Sequence, residues 1–339
     1  MNPLLAPLAA VYGGAASLRS AAYRQGWLKS RRLLRPVVSV GNLTTGGTGK
    51  TPLVALLARL LLERGLKPAI LTRGYRRASG PSLIALDAAP ERRVDPRQVG
   101  DEPAWLANEL PGVPIVVSSD RYHAGCVAEE RFAVDVHVLD DGFQHLRLCR
   151  NADIVTIDAT QPLSDRAILP AGRQRERTAA LKRAHFVILT RTDQADAGPL
   201  EALVHEINPR ALVFRVRTGL SGWREVATGR RLAADFLQGR ALYAFCGIGN
   251  PQAFFRDLKR WGFDVCGTKT FSDHHLYSEA DLKRLVSCAR QSDATLVTTE
   301  KDVMNLRGDF ARGLEAYACR IEPGIEDSVA FVEALLAML

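Results

Sequence analysis

The sequence predicts an α/β fold: a mostly parallel sheet with helices on both faces, a smaller α/β lobe after it, and an apolar helix before it. Three observations predict this. Short apolar runs of strand character recur at residues 37–40, 69–72, 115–118, 134–139, 154–157 and 187–189 with helical stretches between them, the alternation a parallel sheet requires. The first run passes through a glycine-rich loop straight into a helix. A second α/β run, with strands at 242–246, 265–268 and 295–298, begins after residue 240.

Residues 1–18 carry no charge, and Arg19, Arg24, Lys29, Arg31, Arg32 and Arg35 follow before the first acid, Glu63. A cleavable signal peptide has the opposite polarity, cations first. Leu4, Leu8, Val11, Ala15 and Leu18 fall on one helical face, but Pro3, Pro7 and Gly13-Gly14 weaken the helix and it only just approaches the length of a bilayer span. A helix lying in the membrane surface fits better than one that spans or one that packs on its own domain. Much of the net charge of +8 sits here, which favours an anionic phospholipid surface. The cations are not interleaved with aromatic stacking residues, so no nucleic-acid partner is expected.

At 339 residues the chain can bury two α/β lobes. The expected divisions are a membrane-associating helix at 1–35, a core at 36–211, a connection at 212–240 where the pattern turns short and β-like, and a second lobe at 241–339. Six cysteines lie far apart with no CxxC pair, which suggests neither a zinc site nor a disulfide framework; they are expected as reduced thiols, mostly in the core.

The stretch VVSVGNLTTGGTGKTPLVALLARLL organises the rest. Gly46, Gly47 and Gly49 lack a Cβ, so the amides of Thr45 through Thr51, including Thr48, can close around phosphate oxygens. Lys50 would reach the β- and γ-phosphates of a nucleotide and Thr51 would offer its hydroxyl to Mg²⁺. Leu53, Leu56, Leu57, Leu60 and Leu61 then form one apolar helical stripe, and Gly65 stands where a C-cap belongs. Thr44 replaces the first glycine of the usual pattern, so the loop is a variant of the P-loop. The fold is accordingly P-loop NTPase-like.

The run VDVHVLDDG ends a buried strand with Asp140 and Asp141, where a phosphate-loop protein keeps the carboxylate that holds Mg²⁺. Gln144 and His145 follow and would face the same crevice at the carboxyl ends of the strands. RGYRR at 73–77, GDEP at 100–103, the basic loop PAGRQRER at 170–177 and FSDHH at 271–275 are weaker signals singly. Two other P-loop classes fit less well. A partitioning or regulatory ATPase carries KGGxGKT, and Thr45 stands at that lysine; a GTPase reads guanine with TKxD, whereas Arg191 interrupts the TRTD at 190–193 and no DxxG follows Asp140-Asp141. TRTD reads instead as a strand end, and GIGNP at Gly247 as a turn before a helix.

Taken together, GNLTTGGTGKTP, RGYRR, GDEP, DDGFQH, PAGRQRER, LTRTD, FSDHH and TTEKD, in that order behind an uncharged helix, closely resemble the tetraacyldisaccharide 4'-kinase family, the lipid A kinases of Gram-negative bacteria. The resemblance runs from the N-terminal helix to about Asp302. It implies transfer of the γ-phosphate of ATP, with Mg²⁺, to the 4'-hydroxyl of an acylated disaccharide phosphate at the cytoplasmic face of the inner membrane. It also implies roles: Lys50 and Thr51 at the phosphates and metal, Asp140 and Asp141 at the metal with Glu176 assisting, and Asp101 of GDEP as general base. Its partner is the histidine after the aspartate in FSDHH, His274, with His275 one residue away as the alternative. Arg73, Tyr75, Arg121, Gln144, His145 and Arg175 are implied in the sugar and phosphate pocket.

Overall fold

Strand β1 (Val37–Asn42) is buried along its whole length and leads through the glycine-rich loop into helix α2 (Lys50–Glu63), whose Leu53, Val54, Leu57 and Leu61 are buried. The α2 helix stops where Gly65, at φ +75°, lets the Gly65 and Leu66 amides donate to the carbonyls of Leu62 and Leu61. The computed structural model describes residues 5–74, 81–87, 94–161, 163, 167–306, 310 and 313–339. Within it the chain forms two compact units, Met1–Arg217 with Gly324–Leu339, and Thr218–Pro323.

In the first unit, helix α1 (Ala6–Arg24) precedes β1. The chain then runs through β2 (Pro68–Thr72), β3 (Leu83–Leu86), α3 (Pro96–Val99), α4 (Asp101–Glu109), β4 (Ile115–Ser118), α5 (Arg121–Arg131), β5 (Val136–Asp140), β6 (Ala152–Asp158), a 3₁₀ turn at Thr178–Arg183, β7 (Phe186–Thr190), α6 (Gly198–Ile207) and β8 (Leu212–Glu225). The strand order is β8-β7-β6-β1-β5-β2-β4-β3, parallel throughout except β3 on β4. Because β1 lies between β5 and β6, this is where the strand order reverses, the place an open α/β sheet offers for a ligand. The final helix, α10 (Ser328–Leu336), joins this unit by setting Phe331 edge-on against Phe186 and Phe214, with ring centroids 5.5 and 5.3 Å apart.

The second unit holds the end of β8, β9 (Arg231–Leu232), β10 (Ala241–Cys246), α7 (Pro251–Arg260), β11 (Asp264–Thr270), α8 (Glu279–Gln291), β12 (Thr295–Thr299), α9 (Glu300–Val303) and β13 (Ala316–Ile325). Strands β11-β10-β12-β13 are parallel neighbours around a core that includes Trp223, Phe254, Phe255, Leu258 and Phe263.

Three expectations change. The stretch 212–240 is not a plain connection, since 212–225 is one long strand, and residues 324–339 fold with the first unit instead of the second. Of the six cysteines only Cys246 and Cys319 are buried and Cys266 is exposed, so the thiols are not mostly core. Helix α1 covers 6–24 despite Gly13-Gly14, and Gly13 is its buried residue, where a Cβ would meet Ile168 Cδ1 at 2.8 Å. Leu8, Val11 and Leu18 are exposed, while Leu4 lies outside the described residues. No helix among the described residues is long and apolar enough to cross a membrane.

Candidate active site

The parallel register decides what meets the P-loop. Val40 is opposite Asp140, Asn42 opposite Thr156, and Asp158 opposite Thr190, so the carboxyl ends of β5, β6 and β7 line up beside the end of β1. Gly46 and Gly49 take φ values of +111° and +79°, conformations open to glycine but strained for other residues. Beneath the loop the buried Thr48 hydroxyl accepts from Asn42 Nδ2 at 3.0 Å and lies 2.8 Å from Thr156 Oγ1. The N-terminus of α2 therefore opens at the loop with Lys50 and Thr51 as its first residues, an anion-seeking end.

The 167–177 loop is laid against the P-loop as a short antiparallel pairing. Thr44 bridges Gln174, the Thr45 amide donates to the Arg173 carbonyl at 2.7 Å, and the Arg175 amide donates to the Leu43 carbonyl at 2.7 Å. Arg173 returns its guanidinium to the Thr45 carbonyl at 3.0 and 3.2 Å. That alignment delivers Arg175 to Asp141, whose carboxylate also faces Lys50. Burial works against an ionised Asp141, but Lys50 and Arg175 outweigh it and hold its pKa below the ordinary value.

Asp140 is different. Thr72 Oγ1 donates to its Oδ2 at 2.9 Å, while its Oδ1 is buried with no hydrogen-bond partner among the described residues. Burial, then the charges of Glu102 and Asp141, push its carboxyl up to about 7. The charge of Glu102 reaching Asp140 ties the first turn of α4 to this acid pair. Asp101 is the first residue of that turn; it is buried, and its Oδ1 accepts from the Glu102 amide at 3.0 Å, behind Gly100 at φ +100°.

Arg121, buried at the start of α5, donates to the carbonyls of Ser118 and Ser119 and is acted on by Asp140, Arg73 and Asp141; burial lowers its pKa. Gln144 donates to the Asn42 carbonyl at 2.9 Å. Burial, with the charges of Arg121 and Arg150, pushes the His145 imidazole down to about 4, so it is neutral at pH 7. Lys50, Thr51, Asp101, Asp140, Asp141, Arg73, Arg121, Gln144, His145 and Arg175 thus belong to one unit, around the ends of β1 and β5. Tyr75 lies outside the described residues.

Glu176 is paired with an arginine. Both its oxygens are taken by Arg183, at 3.0 and 3.1 Å, and that guanidinium sits over the Phe143 ring at 4.4 Å. Among the described residues no group of three or more Asp, Glu, His or Cys is placed to hold a metal ion.

In the second unit, His274 takes φ +59°, and its amide donates to the Gly247 carbonyl at 2.9 Å. Lys301 Nζ lies 3.3 Å from His274 Nε2. His275 stacks on Phe271 with centroids 4.6 Å apart and bonds Asp281 at 3.1 Å.

Residues missed from the sequence are those that hold the P-loop from behind: Asn42, Thr156, Arg173, Thr190 and Arg191. The TRTD run was legible as a strand end, but only the adjacency of β7 to β6 and β1 gives it a use.

A P-loop opening a helix, with an acid pair at the end of the adjacent strand and arginines around it, defines a P-loop protein of the phosphoryl-transfer class. The family model for LpxK, tetraacyldisaccharide-1-P 4'-kinase, matches residues 1–339, and the chain belongs to that family. It is 42% identical to the tetraacyldisaccharide 4'-kinase of Geobacter metallireducens over 96% of this chain and 94% of that one. Identity to the Geobacter sulfurreducens enzyme of the same name is 40%, covering 95% and 89%. Among solved structures, the "apo" form of LpxK from Aquifex aeolicus in complex with ATP superposes with a TM-score of 0.77, at 29% identity and 98% coverage of both chains.

Proposed function

We propose that this chain transfers the γ-phosphate of ATP to the 4'-hydroxyl of a tetraacyldisaccharide 1-phosphate, a step of lipid A synthesis, with Asp101 as general base and His274 as its partner. The observation that carries the reading is the gathering of Lys50 and Arg175 on Asp141 beside the P-loop, two cations placed to spread charge over a transferring phosphoryl group. Family membership supplies the acceptor. Phosphoryl transfer is mostly positioning and charge stabilisation, and a sugar hydroxyl needs a base to take its proton late. Asp101 stands at a helix N-terminus with its Oδ1 accepting from the Glu102 amide, a place that favours a carboxylate. His274 is the partner that the family motif names, with His275, stacked on Phe271 and bonded to Asp281, as the alternative one residue on.

Thr51 and Asp140 fit Mg²⁺: a hydroxyl at the second residue of α2 and a buried carboxylate with an unpartnered oxygen are hard donors, and Mg²⁺ takes only one or two protein carboxylates beside substrate phosphates. Thr51 and Asp140 would hold Mg²⁺ there, and the ion would neutralise charge on the transferring phosphate. Arg121 and Arg73, with neutral His145 and Gln144, line the side of the acid pair and suit the anionic sugar phosphate.

The acceptor's acyl chains belong in a bilayer, so the enzyme works at the membrane surface, at the cytoplasmic face of the inner membrane where ATP is. Exposed Leu8, Val11 and Leu18, followed by exposed Trp27 and Leu34 among Arg24, Lys29, Arg31 and Arg32, suit an anionic phospholipid surface. The test is transfer of label from ATP to the tetraacyldisaccharide 1-phosphate in detergent micelles, with Asp101→Asn and His274→Gln beside the wild type. Transfer lost in Asp101→Asn with ATP binding kept supports the reading. ATP hydrolysed with no lipid phosphorylated would instead favour a regulatory NTPase.

A further inference from the structure

We infer that Arg191, braced by Asp158, is a positioning residue for ATP: a latch that sets the facing of P-loop peptides from the β7 side. The inference rests on the ATP-binding reading above and concerns residues that reading gives no role.

Arg191 Nη1 donates to the Gly47 carbonyl at 3.0 Å and forms an ion pair with Asp158 Oδ2. Asp158, the last residue of β6, is 2% exposed, and its Oδ1 is held by the amide and hydroxyl of Thr160 at 2.9 and 2.7 Å. One residue earlier, Thr190 Oγ1 donates to the next P-loop carbonyl, that of Thr48, at 3.1 Å. Arg191 adopts φ +58°, so the chain leaves β7 in a left-handed turn that few arginines take. The arrangement is thus over-determined: a buried acid fixes the guanidinium, the guanidinium fixes one carbonyl, and its neighbour fixes the next.

A planar trans peptide points its N–H opposite its C=O. Holding the Gly47 and Thr48 oxygens therefore fixes the facing of the two following amides, those of Thr48 and Gly49. The Gly49 amide belongs to the residue before Lys50, where a phosphate is cradled. With Arg173 on the Thr45 carbonyl, three loop oxygens are gripped by side chains from outside the loop. A glycine-rich loop is otherwise free to flip its peptides, and fixing them in advance removes an ordering cost from nucleotide binding. Asp158 also neutralises the guanidinium, so Arg191 acts through geometry and not as a second cation on the phosphates.

The experiment is ATP and ADP affinity by calorimetry, which needs no lipid, alongside steady-state transfer kinetics and melting temperature for Arg191→Ala, Arg191→Lys, Thr190→Val and Asp158→Asn. The latch predicts that Arg191→Ala weakens ATP and ADP about tenfold or more, raises KM for ATP, and leaves KM for the lipid unchanged. Arg191→Lys recovers part of that loss, and the double variant with Asp158→Asn is no weaker than Arg191→Ala alone. Should Arg191→Ala fail to fold, Arg191→Lys and Thr190→Val carry the same prediction at smaller size. Nucleotide affinity unchanged in the folded variants, or KM for ATP and lipid rising together, overturns the latch. A wild type that binds ATP but phosphorylates no lipid would contradict the kinase reading and leave these affinities to decide the latch.

Discussion

Nη1 of Arg175 lies 2.8 and 2.7 Å from the two carboxylate oxygens of Asp141, and Nζ of Lys50 lies 3.6 Å from the first of them. One acid thus gathers the P-loop lysine and the arginine of the 167–177 loop. Replacing Arg175 by Ala removes a cation from the developing charge, so kcat is expected to fall by about 10²-fold. The pair is partly exposed, and the melting temperature should move little. Steady-state kinetics with saturating ATP checks this, and an unchanged kcat would remove Arg175 from the transfer step.

Asp140 gives a pH dependence of stability in the nucleotide-free, metal-free protein. Its carboxyl is pushed up to about 7 from an ordinary 3.8, so the native state favours the protonated form. The stabilisation is complete below about pH 4 and is lost as pH rises through about 7, at about 1.4 kcal/mol per unit of difference between the two states. Urea unfolding in EDTA at intervals from pH 5 to 8 should show wild type losing stability relative to Asp140→Asn across that window. A difference that stays flat contradicts the assignment.

Gly41 is where β1 passes Phe143. A Cβ there would stand 2.5 Å from Phe143 Cβ and 2.7 Å from its backbone nitrogen, which cannot yield as a side-chain tip would. Gly41→Ala is therefore expected to cost about 2–3 kcal/mol of stability and to weaken ATP binding, because the strand leads straight into the P-loop. Denaturant midpoints measure the first and calorimetry the second.

The membrane surface is testable without deleting α1, which is tied to the first unit through Gly13 on Ile168 and Ser20 on Arg183. Trp27 is 73% exposed, and Leu8, Val11 and Leu18 are exposed beside it in sequence. Changing any of these to Ser should weaken binding to anionic liposomes by about tenfold if the side chain enters the bilayer, with ATP affinity untouched. Equal liposome binding would place the attachment elsewhere.

Most of the parallel sheet was legible because buried strands such as 37–40 and 115–118 are continuous apolar runs bounded by turn residues. The P-loop and the acid pair were legible because their chemistry is local: glycines, lysine and threonine in eight positions, two aspartates at one strand end. Edge strand β3 was not, since LIAL is only half-buried and short. Nor was β8, whose alternating VFRVRTGLSGW looks like a linker until partners on both sides pair it. Arg191 on Gly47 joins residues far apart in sequence and Arg183 on Glu176 depends on how the loop and 3₁₀ turn between them fold, and residue type alone leaves an arginine equally suited to solvent.

Where the phosphate goes is read most directly by phosphorus–proton correlation NMR on the lipid product after incubation with ATP and Mg²⁺. A new phosphate coupled to the proton at the 4' carbon of the tetraacyldisaccharide, absent with Lys50→Ala, is the predicted result. Inorganic phosphate with unmodified lipid, or a phosphate on another hydroxyl, would contradict it.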